Sequence, residues 1–96
     1  MKRFNGLSKQ SFRRWLESQE PNASVGHVGG LDNCPLATYI QKELHTSAQV
    51  TSLFINTEDT TYRQPLWTSR FVRLVDGGDL GASVTAKQAL DYLRQV

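Results

Sequence analysis

Three prolines punctuate this chain, and each one fixes where an element stops or starts. Pro21 disfavours helical backbone at Glu20, so it ends whatever helix precedes it. Pro35 and Pro65 stand at the heads of apolar periodic runs. Proline suits the first helical position, because its missing N–H has no partner to lose there. The chain must therefore be built from short pieces, and the periodicity between the breaks says which.

The first piece is a helix over about Lys9 to Gln19. Ser8 is a suitable N-cap, and Leu7 and Phe12 stand at the two positions of a hydrophobic staple. Phe12, Trp15, Leu16 and Gln19 share a face, with Lys9, Arg13, Arg14 and Glu17 on the other. "ASVGHVGG" reads as a short extended edge piece with glycine punctuation. A second helix is expected from Pro35 to His45, its buried stripe formed by Leu36, Tyr39, Ile40 and Leu44.

"AQVTSLFIN" is rich in β-branched and aromatic residues and predicts one central strand, with Val50 and Phe54 on one face and Leu53 and Ile55 on the other. "NTEDT" carries turn chemistry and "TTYRQ" predicts a strand returning antiparallel. A third helix follows Pro65, with Trp67, Phe71, Leu74 and Val75 on its apolar face, and the glycines of "DGGDLG" end it. The last helix opens on a T-x-x-Q capping box, Thr85 with Gln88, and turns Ala86, Ala89, Leu90 and Leu93 inward. The expectation is a single α+β domain over 1–96: about four short helices on a small, mostly antiparallel sheet in one layer, with 1–6 as a mobile basic arm.

Composition adds bounds. An apolar fraction of 39% and a charged fraction of 21% belong to an ordinary globule. No apolar run is long enough to predict a membrane span, and the basic start lacks the apolar stretch of a signal peptide, so a cytoplasmic protein is expected. One cysteine cannot form an internal disulfide. Net charge is only +2, but residues 1 to 14 carry Lys2, Arg3, Lys9, Arg13 and Arg14 with no acid.

Chemistry has few places to sit. Cys34 precedes Pro35 at a helix start, where free N–H groups stabilise a thiolate, and His27 lies upstream as a candidate base. That pair is the one catalytic candidate, centring a cysteine-dependent enzyme. The competing reading, a small buried junction residue, is the commoner fate of cysteine. Cys34, His27, His45 and Asp32 lack the paired spacing of a metal site, so neither metal nor cofactor is expected. "GHVGGLDN" is neither phosphate-loop motif, and "DGGDLG" lacks the acid alternation of a calcium loop.

Binding functions remain. Lys2, Arg3, Lys9, Arg13, Arg14, Arg63, Arg70 and Arg73 are candidates for contacting nucleic acid or an acidic partner, since phosphate contacts need only such side chains. No helix-turn-helix, aromatic RNA-binding strand or zinc finger accompanies them. Tyr62, Arg63 and Trp67 bring interface residue types close together, and "ASVGHV" and "TTYRQ" offer strand edges for pairing. The leading expectation is a small non-enzymatic binding protein, an adaptor, regulator or inhibitor with a protein partner. A nucleic-acid accessory role comes second and the cysteine enzyme third.

Overall fold

In the computed structural model, which describes residues 7–51, 53–78 and 80–96, nine elements follow one another. They are α1 (Lys9–Glu17), β1 (Ser24–His27), α2 (Pro35–Glu43), β2 (Ala48–Val50), β3 (Phe54–Thr57), β4 (Thr61–Arg63), α3 (Leu66–Gly77), β5 (Ser83–Thr85) and α4 (Ala86–Leu93). The basic residues Lys2 and Arg3, and the arm expected over 1–6, lie outside the described residues.

The α+β class holds, with four helices, but the strands form two antiparallel sheets and not one. In the first, β1 pairs with β5, Gly26 opposite Val84 and His27 opposite Ser83. The second runs β2-β3-β4. Helix α2 packs on both β1 and β2 and so bridges the two sheets. The radius of gyration of 12.0 Å matches the roughly 12.5 Å of a compact domain this long.

The single long strand expected over "AQVTSLFIN" is corrected: the chain reverses between β2 and β3, which form an antiparallel hairpin. The cause is Thr51. Its hydroxyl accepts from the amides of Leu53 (3.3 Å) and Phe54 (2.9 Å), giving the backbone a local alternative to the ladder. The reversal moves the β3 side chains to the opposite face relative to β2. Val50 pairs opposite Ile55, so both enter the core, which one continuous strand would forbid. Leu53 falls in the turn and is 66% exposed. Strand β5 is an addition to the expected elements: Ser83–Thr85, just ahead of α4, pair with β1.

The helices form for the reasons their sequences suggest. Ser8 caps α1 by accepting from the Ser11 amide at 3.0 Å, and Leu7 and Phe12 are both buried. The Thr85/Gln88 capping box closes in both directions. The remaining α4 donors also find partners: Ala86 donates to the Ala23 carbonyl and Lys87 to that of Pro21. Helix α2 stops at Glu43, short of the expected His45, because His45 takes a left-handed φ of 53° and breaks the ladder.

Phe12 organises the core. Its ring meets Tyr39 of α2 at 5.3 Å, Phe71 of α3 at 5.2 Å and Trp67 of α3 at 6.0 Å, while Trp15 stacks beside it at 6.1 Å. Leu16, Leu36, Ile40, Ile55, Val84, Ala89 and Leu93 fill the rest. Gln19 stays at the margin of the α1 face, half-buried. Leu74 is likewise only half-buried on α3, where Thr68 is enclosed instead, its hydroxyl donating to the Pro65 carbonyl.

Candidate functional site

Among the described residues three large apolar side chains stay exposed: Leu53 and Leu66 lie at one corner of the three-stranded sheet, and Leu31 lies by its opposite edge, beside β2. Alternation turns Ala48, Val50, Ile55 and Tyr62 toward the core, and therefore turns Gln49, Phe54, Asn56, Thr61 and Arg63 to the opposite face. Phe54 and Arg63 are directly opposite each other on that outer face. Phe54 is half-buried and not part of the core cluster.

Two exposed leucines border this pair. The Gln64 amide donates to the Leu53 carbonyl at 3.0 Å, which brings the β2–β3 turn against the start of α3. The Gln64 side chain reinforces the link by donating to the Thr51 carbonyl. Its Oε1 is buried with no hydrogen-bond partner among the described residues. Leu53 and Leu66, two residues after Gln64, are 66% and 65% exposed.

Helix α3 continues the surface. Thr68, Phe71 and Val75 define its buried side, so Leu66, Arg70 and Arg73, at i, i+4 and i+7, form a stripe on the opposite side. Pro65 gives the helix no side-chain cap, which leaves the positive end of its dipole uncompensated there. Among the described residues, ion pairs join Arg13 to Glu17 (3.7 Å) and Arg94 to Asp91 (3.5 Å). Arg63, Arg70 and Arg73 are exposed and make none.

The structure sorts the basic candidates. Arg63, Arg70 and Arg73 belong to the sheet corner and the stripe leading from it. The α1 set is partly engaged elsewhere: Lys9 donates to the Val96 carbonyl and Arg13 pairs with Glu17. Arg14 lines a small depression with Tyr39 and Glu43. The interface trio also divides. Arg63 points outward, whereas Tyr62 and Trp67 are half-buried and pack against the core. Sequence pattern gives no sign of Leu53 or Leu66 as surface residues, since the first falls inside an apolar β-rich run and the second at a helix start beside Pro65 and Trp67.

Of the two strand edges expected to be open, "ASVGHV" is closed on both sides. β1 pairs with β5 on one side, and on the other its His27 amide donates to the Asn33 carbonyl at 2.8 Å. Gly26 lies so close to that segment that a Cβ would stand 2.5 Å from the Pro35 nitrogen. The outer edge of β2 is covered too, by the Leu31 carbonyl and the Gln41 side chain. β4 is different. The Thr57–Thr60 and Leu53–Gln64 bonds set the ladder so that Tyr62 exchanges bonds with Ile55, while the N–H and C=O of Thr61 and Arg63 point away from the sheet. Among the described residues these outward groups have no backbone partner.

Cys34 occupies the helix start expected of it and is 4% exposed. Its Sγ accepts from the Ala37 amide at 3.4 Å. Burial pushes the thiol pKa up, and the negative charge of Asp76 adds to this, against the lowering effect of the Ala37 and Leu36 amides. His27 is exposed on β1, and no hydrogen bond joins it to the thiol. The glycine loop between them is a structural joint: the Gly29 amide, at a φ of 75°, donates to the Asp76 carboxylate at 3.0 Å. Among the described residues no three histidine, cysteine, aspartate or glutamate side chains gather as a metal site, and no helix is long and apolar enough to cross a membrane. The chain matches no protein-family model, no curated protein and no solved structure.

Proposed function

We propose that this is a small binding protein, an adaptor, regulator or inhibitor, whose partner is another protein held at the corner formed by Leu53, Phe54, Arg63 and Leu66. The observation that supports it is two exposed leucines, one on the β2–β3 turn and one at the α3 start, on segments tied together by the Gln64–Leu53 hydrogen bond, with Arg63, which makes no ion pair, next to Gln64 in the chain. Exposed single leucines are ordinary and leucine is not a typical hot-spot residue, but an aromatic and an arginine beside exposed apolar side chains are residue types that interfaces favour. The thiol reading has less support, because a buried cysteine with a raised pKa is protonated at neutral pH.

The test is capture by the full chain from an extract of its own cells, against the double variant Leu53→Asp/Leu66→Asp. A stoichiometric protein retained by the wild type and lost by the variant is the expected result, confirmed with the purified partner. Equal retention by both, or none by either, removes this surface from the account.

A nucleic-acid role is the second reading, favoured by the three exposed arginines without ion pairs. It requires retention on an oligonucleotide column at low salt, with affinity falling steeply as salt rises. No retention at low salt rejects it.

A further inference from the structure

Resting on the protein-partner reading above, we propose that the partner presents an extended acidic segment that adds to the outer edge of β4 as a fourth strand. An incoming strand needs an edge with free donors and acceptors, and Thr61 and Arg63 supply them, their N–H and C=O groups turned away from β3. The other edge of this sheet is already closed by Leu31 and Gln41, so β4 is where the sheet can grow.

Charge selects the occupant. Arg63 lies on the outer face of the edge strand itself, and Arg70 and Arg73 continue the positive surface along α3 from the point where β4 ends. None is in an ion pair among the described residues, although Asp76 shares a depression with Arg73 and the exposed Glu58 and Asp59 stand in the turn that leads into β4. A basic segment, or a second β4 edge carrying the same arginine, would add like charge here. Alternation selects the pattern. In an added strand, one set of side chains stands beside Thr61 and Arg63 and the other beside Tyr62 on the inner face. Carboxylates suit the first row and apolar groups the second. The segment therefore alternates acidic and apolar residues, and its backbone supplies affinity while its carboxylates supply selectivity.

The probe is a blocked heptapeptide alternating Glu and Val, titrated into the labelled full chain and followed by amide chemical shift and hydrogen exchange. The expected result is protection of the Thr61 and Arg63 amides by about tenfold or more. The same peptide with Lys for Glu, or with proline at its centre, does not protect them. Arg63→Glu, an exposed change whose folding is checked by circular dichroism, weakens the Glu/Val peptide by about tenfold or more. Shifts confined to arginine side chains, the same for the proline peptide, would mean charge attraction without strand addition and overturn the proposal. Binding of oligothymidylate at this edge with no response to the peptide overturns it in favour of nucleic acid. If the edge stays unprotected while the leucine variant still loses its captured protein, strand addition fails and the interface survives. If the edge is protected but the leucine variant captures normally, the interface at the leucines fails instead.

Discussion

Gly26 shows how a single missing atom sets the distance between two elements. Strand β1 crosses the entrance to α2 so closely that a Cβ at this position would meet backbone on three counts: Pro35 N at 2.5 Å, the Cys34 carbonyl carbon at 2.7 Å and Asn33 O at 2.8 Å. Backbone cannot swing aside as a side-chain tip can. Gly26→Ala is expected to cost about 1–3 kcal/mol or more through overpacking, read as a lower midpoint in urea unfolding. Cys34, on the other side of this contact, is constrained by the same closeness. Its buried thiol has a raised pKa, so the folded chain holds the proton to higher pH than the unfolded chain, which ionises near about 8.5. Its contribution to stability is therefore complete below that value and is lost as pH climbs above it. Iodoacetamide should modify folded Cys34 more slowly than a free thiol at neutral pH, and Cys34→Ser should flatten the alkaline loss of stability. A rate equal to or faster than that of a free thiol would restore the nucleophile reading.

At the scale of elements, α4 is the helix whose ends are most completely satisfied. Its first donors go to Ala23, Pro21 and the Thr85 hydroxyl, and the Gln88 side chain returns a bond to the Thr85 amide. Thr85→Ala should cost about 0.5–2 kcal/mol, and Gln88→Ala added to it should cost less than its own single effect, because the two act as one box. Caps of this kind were legible in the sequence, as were the buried stripes of Phe12, Trp15 and Leu16 and of Leu36, Tyr39 and Ile40. They are local, set by residues within two turns of one another. The β2–β3 reversal was not legible, because Val50, Phe54 and Ile55 favour strand on either topology and the decision rested on one threonine hydroxyl. The candidate site was hidden for the same reason. Leu53 is exposed only because the chain turns there, and the β4 edge is open only because β3 lies on its other side.

For the molecule as a whole, the aromatic cluster is the common ground of three helices. Phe12 on α1 touches α2 through Tyr39 and α3 through Trp67 and Phe71. Phe12→Ala should remove about 3–5 kcal/mol, a large share of the roughly 5–15 kcal/mol that holds a domain together. Thermal unfolding should show a sharply lowered midpoint, and circular dichroism a chain partly unfolded at ambient temperature. A loss under about 1 kcal/mol would mean the cluster closes over the gap, against the behaviour of tightly packed interiors.

The pairing of β1 with β5, and of α1 with α4, has a consequence for how the protein is made. A ribosome delivers α1 and β1 before the segment from Ser83 to Leu93 that packs on them. Until then Val25 and Leu16 have no Val84, Ala89 or Leu93 to bury them. The nascent chain must wait with this helix and strand half-dressed, and a chaperone that shields them would act before Ser83 to Leu93 has emerged.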